Sequence, residues 1–376
     1  MRTGVPGIAL LLIAFLQAPA VRAQAPPPPD QPDFKLDAGT RRAVVDTLCD
    51  RIERFYVFPD RAREVSRALR KRMSRHEYDR VESAKAFADS LTSHIHAVTP
   101  DLHLRVHYRY DPIPPQTDQG EPSESERRRM HEQSRLTNYG FQRVERLPGN
   151  VGYMDLWSFS GEPDAQATAV AAMNFLANTD ALIIDLRRNG GGDPAMNATL
   201  LTYFVEPGNR LLFNTFYERE GNKTEEYWTS PYVPGPRYTG KPVYVLTSAR
   251  TGSCAEEFAY DVQTHKLGTL VGAVTAGGAN PGDFYRLSDH FAAFIATGRA
   301  INPVTHTNWE GVGVRPDSLT TAGVAVRVAY TMAVEKLLKG AKADPERTGS
   351  LKRALDVAAG RAPDPEEDFV RPERRR

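Results

Sequence analysis

The stretch SCAEEF, which begins at Ser253, and the glycine run from Gly190 to Gly192 contain residue types that suit acyl-transfer chemistry. A serine at the start of a helix lies beside N–H groups without helical partners and near the positive end of the helix dipole. Consecutive glycines let the backbone approach a substrate closely and turn its N–H groups outward. Ser253 also begins an S-x-x-E capping box with Glu256. Taken alone, the capping interpretation is favoured because capping boxes are far commoner than nucleophiles.

A nucleophilic serine needs a base close to its hydroxyl. Among the nine histidines, His265 would lie about 18 Å from Ser253 along the same helix, too far for proton transfer. His103, in TPDLHLRV, is predicted to project from a strand over residues 102–106, opposite its apolar neighbours. Glu310, beside a tryptophan and a glycine-rich turn, is the candidate acid, and His306 is a rival base. Periodicity alone favours ordinary surface roles for these side chains.

The sequence argues against a metal, a cofactor or a nucleic acid. His94 and His96 diverge on a helix, and the chain has neither an HExxH motif nor paired cysteines at metal-ligand spacing. The glycine run matches neither phosphate-binding fingerprint. With 48 basic and 47 acidic residues, the net charge of +1 removes the general electrostatic case for nucleic acid or an anionic membrane. We therefore expect no metal and no cofactor.

The first residues are typical of a secretory signal. Arg2 is followed by a short apolar run and by small residues suited to cleavage, which predicts a signal peptide over 1–25 and an exported, periplasmic or secreted protein. The apolar run is too short to span a bilayer, and Cys49 is too distant from it to carry a lipid anchor. Cys49 and Cys254 are expected to be buried thiols, although an oxidising compartment permits a disulfide between them.

Hydrophobic periodicity divides the rest of the chain into a helical part and an α/β part. A Pro-rich spacer over 26–38 precedes an N-terminal helical domain over 39–106, which contains three amphipathic helices and ends in the strand that carries the candidate histidine. Residues 107–147 are polar and predict a linker or loop. Alternating strands and helices predict an α/β domain over 148–340, and residues 341–376 a C-terminal helix with a disordered tail.

Four motifs resemble the catalytic domain of the S41 serine peptidases. In chain order they are DLRRNGGG, TSARTGSCAEEFAY, VGAVTAGGANPGD and NWEGVGVRPD. The resemblance covers residues from about 40 to 335 and implies a ClpP/crotonase-like spiral α/β catalytic domain preceded by a small N-terminal helical domain. Processing proteases of this family pair the serine with a lysine 25 residues later; that position here is Gly278, and 107–147 has no room for their PDZ module. The chain therefore resembles the branch of the tricorn core and of interphotoreceptor retinoid-binding protein.

That resemblance implies a role for each candidate residue. Ser253 would be the nucleophile, His103 the general base, and Glu310 the residue that orients or charges the histidine. The N–H groups of Cys254 and of one glycine among 190–192 would form the oxyanion hole.

The resulting hypothesis is an exported serine peptidase that hydrolyses peptides or unfolded proteins through an acyl-enzyme. The alternative is a non-catalytic binder of apolar ligands or peptides on the same fold. Leu102 stands where the tricorn core has a serine that links histidine to glutamate, which leaves the contact between Glu310 and the histidine open. Arg105, Arg188 and Arg250 are candidates to bind a substrate carboxylate, and nothing in the sequence ranks them. Neither does it predict an oligomeric state.

Overall fold

The computed structural model describes residues 31–114 and 124–361, so the predicted signal peptide, residues 26–30 of the Pro-rich spacer and the end of the predicted tail lie outside the described residues. The helices are α1 (Ala38–Phe55), α2 (Pro59–Ser74), α3 (Ala84–His96), α4 (Glu124–Leu136), α5 (Ala165–Leu176), α6 (Pro194–Thr202), α7 (Cys254–Thr264), α8 (Ala325–Gly340) and α9 (Pro345–Ala358). The strands are β1 (Arg105–Tyr108), β2 (Phe141–Leu147), β3 (Val151–Leu156), β4 (Ala181–Asp185), β5 (Leu212–Glu218), β6 (Lys223–Trp228), β7 (Val243–Thr247), β8 (Thr269–Gly272), β9 (Gly282–Arg286), β10 (Phe291–Ala296), β11 (Gly298–Ile301) and β12 (Ser318–Leu319).

The first turn of each N-terminal helix has backbone N–H groups without helical partners. Residues at the helix starts either accept a hydrogen bond from such an N–H or, in the case of proline, have no N–H. Asp37 caps α1 by accepting the Thr40 N–H at 2.6 Å, and Ser83 caps α3 by accepting the Ala86 N–H at 3.0 Å. Pro59 takes the first position of α2, where a missing N–H is no loss. The apolar faces of these helices meet in one buried cluster that includes Val44, Leu48, Leu69, Phe87 and Leu91.

A six-stranded sheet with the order β12-β8-β7-β4-β3-β2 forms the centre of the α/β part. Its neighbouring strands are parallel, except that β2 runs antiparallel to β3. Helices α5 to α7 pack on one face and α8 and α9 on the other, which explains why β3, β4 and β7 are buried along their whole length. The prediction of a mixed α/β fold preceded by helices is confirmed.

A second sheet, β1-β10-β9, joins the N-terminal helices to the α/β part. β1 runs antiparallel to β10, with Arg105 opposite Phe294 and Tyr108 opposite Phe291. Four buried side chains of β10, those of Phe291, Ala293, Ile295 and Ala296, belong to the same hydrophobic cluster as those of α1 to α3. The N-terminal helices therefore share a hydrophobic cluster with β1 and β10, whereas the six-stranded sheet packs in two other clusters.

The segment 107–147, predicted to be a polar linker or loop, contains the second half of β1, all of α4 and all of β2. β2 is the edge strand of the six-stranded sheet, and most of its side chains remain partly or fully exposed. An antiparallel edge strand needs only one apolar face and tolerates charged residues on the other. The polar composition of β2 therefore predicted a linker where the structure has a strand.

The described residues also bear on the membrane and on the two cysteines. None of the described helices is long and apolar enough to cross a membrane. Cys49 and Cys254 are both free and buried. Burial raises the pKa of the Cys49 thiol to about 11, so this group stays protonated and poorly nucleophilic.

Candidate active site

Ser253 occupies a strained turn between β7 and α7. Its backbone angles, φ 52° and ψ −126°, lie outside the regions that L-residues normally populate. Such strain persists only where surrounding contacts hold it, and it clusters at functional sites. The Ser253 N–H donates to the Glu256 carboxylate at 2.9 Å, and the Gly252 N–H donates to the Asn189 carbonyl at 3.0 Å. These bonds hold Ser253 at the N-terminus of α7.

The Glu256 carboxylate has no solvent exposure and accepts hydrogen bonds from four donors. Oε1 accepts from the Thr275 hydroxyl and from the Gly277 N–H at 2.6 Å. Oε2 accepts from the N–H groups of Gly278 and Ser253, both at 2.9 Å. The S-x-x-E pattern therefore does more than cap α7, because its glutamate ties the serine turn to the loop that follows β8.

The N–H groups around Ser253 differ in whether they can bind a substrate oxygen. Within the described residues, no acceptor faces the N–H of Cys254, Gly190 or Gly192, and all three residues line one cavity. The Gly191 N–H instead donates to a buried asparagine side chain at 2.9 Å, which removes it from the predicted donors. A Cβ added at Gly191 would lie 2.7 Å from the serine Cβ, so only glycine fits there.

His103 lies in a turn before β1 and not in the strand predicted over 102–106. Asp101 Oδ1 accepts the N–H of His103 at 3.0 Å and that of Leu104 at 3.2 Å, which forms an Asx-type turn. The turn delays the start of the strand. It also leaves the Leu102 side chain 40% exposed, although strand alternation had placed it inward.

A backbone carbonyl orients the His103 ring. Nδ1 lies 3.1 Å from the Asn280 carbonyl oxygen, which can only accept, so Nδ1 carries the proton and Nε2 keeps its lone pair. Burial lowers the pKa of His103 below its ordinary value, and the nearby Asp101 charge opposes this shift. The turn thus holds a neutral imidazole with Nε2 available as a base.

The His103 ring packs against Gly278. A Cβ added at Gly278 would lie 2.6 Å from Nε2, closer than any real contact allows. Gly278 is also the position at which the resemblance places the lysine of the processing proteases. In this chain the imidazole and a side chain at 278 therefore exclude each other.

Ser253 and His103 line one cavity of about 260 Å³. One wall consists of the start of α7 and the glycine run, and the other is a face of the β1-β10-β9 sheet. The rival His306 is exposed and does not line the cavity. In the described part of the chain, no hydrogen bond joins the serine and histidine side chains. Such bonds are often long before substrate binds.

Glu310 contacts the backbone on both sides of the His103 ring. Its Oε1 accepts the Leu102 N–H at 3.2 Å, and its Oε2 accepts the N–H groups of Ala279 at 2.6 Å and Asn280 at 2.9 Å. Among the described residues, it makes no hydrogen bond to His103 itself. The sequence had not settled whether Glu310 contacts the histidine, because position 102 holds a leucine. The connection runs through backbone groups, so it does not depend on the side chain at position 102.

Burial and the nearby Asp101 charge raise the pKa of Glu310 to about 8, so this group is mostly neutral at pH 7. Glu310 thus supports His103 by position and not by charge. The donor atoms of Asp101, His103 and Glu310 lie within 4.8 Å of one another, a spacing that metal ligands can have. His103 Nδ1 and both Glu310 oxygens have backbone partners, whereas the buried Asp101 Oδ2 has none among the described residues.

Three residues of the site were not predicted from the sequence: Asp101, Asn280 and Glu257. Glu257 is buried, lines the cavity one turn after Ser253, and accepts a hydrogen bond from the Asn214 amide. Burial raises the pKa of Glu257 to about 7. A charged residue on the apolar face of a helix was a signal for Glu257. Asn280 acts through its backbone carbonyl, so its residue type carries no signal.

A serine at a strained helix start, a neutral imidazole in the same cavity and N–H groups without acceptors are the parts of a serine hydrolase site on a mixed α/β fold. Residues 150–320 match the model of peptidase family S41. Residues 38–139 match the model described as the N-terminal domain of Peptidase_S41 in eukaryotic IRBP. Over these two ranges the chain is therefore similar to the serine peptidases of family S41.

Curated relatives and a solved structure are similar to parts of the chain. Carboxyl-terminal-processing peptidase 1 of Arabidopsis thaliana chloroplasts is 26% identical over 182 residues, which are 48% of this chain and 35% of that protein. The carboxy-terminal-processing protease of Bartonella bacilliformis is 27% identical over 179 residues, 46% of this chain and 39% of that protein. A putative peptidase from Parabacteroides merdae superposes with a TM-score of 0.53 at 18% identity, over 80% of this chain and 96% of that one, and shows the fold alone.

Glu256→Gln keeps one acceptor oxygen and places an NH₂ group against two of the four donors. We expect the free energy of unfolding to fall by about 2–6 kcal/mol, because each of the two buried donors without an acceptor costs roughly 1–3 kcal/mol. Urea denaturation followed by circular dichroism measures the change. Glu335→Gln, at an exposed position of α8, is the matched control. Equal stability of the two variants would contradict the role of Glu256.

Gly278→Ala should displace the His103 ring with little effect on stability. The φ of Gly278 lies outside the left-handed region, so alanine adds no backbone strain there, but its Cβ would meet Nε2. We expect a fluorophosphonate to label Ser253 at least about tenfold more slowly, since a positioned base contributes roughly 10²–10⁴ in rate. Gly323→Ala, where a Cβ meets nothing within 4 Å, is the control. Unchanged labelling of the Gly278 variant would remove His103 as the base.

Glu310→Gln should flatten the pH dependence of stability. A pKa of about 8, above the ordinary 4.5, means that the stability contributed by protonated Glu310 is complete below pH 4.5 and is lost as the pH rises to 8. Wild-type unfolding free energy should fall across this window, by at most about 1.4 kcal/mol per pH unit for one proton. Urea titrations at several pH values should show a shallower slope for the variant. Parallel slopes would show that Glu310 is ionised in the folded protein.

Proposed function

We propose that the chain is an exported serine peptidase that cleaves peptides or unfolded proteins through an acyl-enzyme. Ser253 is the nucleophile, His103 is the general base, and Glu310 orients His103. The N–H of Cys254 and that of Gly190 or Gly192 stabilise the oxyanion. The strongest support is a neutral imidazole that shares a cavity with Ser253 and with N–H groups that lack acceptors.

The geometry suggests how these groups act in turn. His103 Nε2 accepts the Ser253 proton as the serine oxygen attacks the peptide carbonyl, and the Asn280 carbonyl stabilises the imidazolium through Nδ1. The backbone N–H groups bind the tetrahedral oxygen, an interaction worth roughly 10²–10³ in rate for one donor. His103 then returns the proton to the leaving amine, and water hydrolyses the acyl-enzyme by the same route.

The histidine base, the spiral architecture and export are parts of this proposal. The curated relatives are C-terminal processing enzymes, yet the lysine position of that branch holds Gly278, with the His103 ring against it. The match of residues 38–139 to a domain of eukaryotic IRBP supports the branch with a histidine base. Export rests on the N-terminal sequence.

A binder of apolar ligands or peptides remains the second candidate. The cavity has an aromatic lining formed by Phe216, Phe284, Phe294 and Trp309. A hydrophobic pocket of this kind holds apolar groups whether or not chemistry follows. Saturable binding of a lipophilic fluorophore, together with no cleavage of casein or of a peptide library, would favour this function.

Ser253→Ala should abolish fluorophosphonate labelling and peptide cleavage, because the other hydroxyls between β7 and α7, those of Ser248 and Thr251, donate to backbone carbonyls and do not line the cavity. His103→Gln should lower kcat by about 10²-fold or more, since it removes the base. Both variants should unfold at the wild-type temperature, because neither side chain forms part of the hydrophobic core. Undiminished labelling of the Ser253 variant would refute the nucleophile. Wild-type kcat in the His103 variant would refute the base.

A further inference from the structure

The Asp101 carboxyl group has hydrogen bonds at one of its oxygens and none at the other. Oδ1 accepts the N–H groups of His103 at 3.0 Å and Leu104 at 3.2 Å. Oδ2 is buried and has no hydrogen-bond partner among the described residues, and Asp101 as a whole is 2% exposed. A carboxylate oxygen that has left water needs a donor, because an unsatisfied buried acceptor costs free energy. A neighbouring side chain that carries a proton would supply this donor.

The Glu310 carboxyl group has the complementary arrangement. Its Oε2 accepts the N–H groups of Ala279 at 2.6 Å and Asn280 at 2.9 Å, which occupy both lone pairs of that oxygen. Its Oε1 accepts one N–H, that of Leu102 at 3.2 Å, and Leu102 directly follows Asp101. One oxygen of each carboxyl group lies within 4.8 Å of the other group. Glu310 Oε1 therefore has a free position for a proton close to the carboxyl group that lacks a donor.

No cation offsets the charge of these two carboxyl groups. Among the described residues, neither Asp101 nor Glu310 forms an ion pair. The Tyr56 hydroxyl also faces them, but burial and the Asp101 charge raise the pKa of Tyr56, so it stays neutral. His103 is neutral at rest, and the Arg105 guanidinium near it pairs with neither carboxyl group of the described site. Two adjoining buried carboxyl groups then do not both ionise at neutral pH, because the first charge disfavours the second.

We propose that Asp101 and Glu310 share one proton, which Glu310 Oε1 donates to Asp101 Oδ2. The pair then carries one negative charge, located mainly on Asp101. Asp101 is thus a positioning residue that holds the His103 turn and supplies the charge opposite the imidazolium, which the family resemblance would place on Glu310. The shared proton does not depend on the proposed peptidase function, whereas the role of the charge in catalysis rests on it.

The shared proton connects the two backbone segments that orient the His103 ring. Asp101 Oδ1 holds the turn that carries His103. Glu310 Oε2 holds the N–H of Asn280, the residue whose carbonyl accepts the Nδ1 proton. Two ionised carboxyl groups would repel each other and separate these segments. When Nε2 takes the Ser253 proton, the pair keeps its own proton, so one negative charge faces the imidazolium.

Two isosteric amides test the shared proton. Asp101→Asn and Glu310→Gln can each keep the oxygen that accepts two backbone N–H groups, so both variants should fold. At pH 7, infrared difference spectroscopy should show a protonated-carboxyl band in the wild type that is absent from Glu310→Gln. The same band should be absent from Asp101→Asn, because Glu310 ionises once the neighbouring charge is gone. Glu257→Gln removes another buried carboxyl group whose pKa is raised, and this matched control should keep the band.

Fluorophosphonate labelling at different pH values tests the charge. Each single variant keeps one negative charge, on Asp101 in Glu310→Gln and on Glu310 in Asp101→Asn, whereas the double variant has none. The pH of half-maximal labelling reports the pKa of His103. We expect this pH to fall by about one to three pH units in the double variant alone, since a nearby carboxylate favours the imidazolium. The labelling rate of the double variant should be at least about tenfold below the value that the two single effects predict together.

The matched control for the double variant combines Asp60→Asn with Glu64→Gln. These two carboxyl groups lie on α2 and outside the cavity lining. Their joint replacement removes the same number of carboxyl groups and should keep the labelling rate and the pH dependence of the wild type.

Two results overturn the inference: a Glu310 band that persists in Asp101→Asn, or a double variant whose pH of half-maximal labelling equals that of the single variants. Failure of the proposed function would appear differently, as no labelling of the wild type, and the infrared spectra would still decide whether the proton is shared. Circular dichroism checks the fold of each variant. If the double variant does not fold, the infrared spectra of the single variants decide.

Discussion

The active-site geometry depends on the buried carboxylate of Glu256. This group has no contact with solvent and receives four hydrogen bonds, three of them from the loop of residues 275–278 and one from the backbone of Ser253. A carboxylate removed from water is tolerated only while its oxygens are satisfied. The four donors must therefore keep their positions together. The strained serine turn and the loop beneath the His103 ring consequently cannot shift independently.

Backbone groups, and not a charged partner, hold the His103 ring. The Asn280 carbonyl fixes Nδ1, while Asp101 and Glu310 accept N–H groups of the turn that carries the histidine. An ionised carboxylate at Nδ1 would stabilise the imidazolium and raise the pKa of the histidine. A carbonyl stabilises it less, so burial prevails and the resting imidazole stays neutral. Because Glu310 contacts the backbone N–H of Leu102, this contact does not depend on the Leu102 side chain.

The parts of the fold that were predictable from the sequence depend on residues that are close together along the chain. The helical period of α5, the apolar run of β4 and the capping box at Ser253 are local patterns, and each has its expected structure. The pairing of Ser253 with His103 came from the family resemblance and stays a proposal. The remaining contacts join distant residues: Glu310 meets the backbone of Leu102 across 208 positions, and no local pattern signals such a contact.

The N-terminal helices are a component of the site because β1 belongs to both parts of the molecule. Packing of Val106 and Tyr108 against those helices sets the depth and tilt of β1. Pairing with β10 sets its register, and β10 leads back through β9 to the loop that carries Gly278 and Asn280. Both the imidazole and the Arg105 guanidinium extend from this short segment. Helix packing in the first third of the chain thus determines how far the imidazole and the guanidinium lie from a serine encoded in the last third.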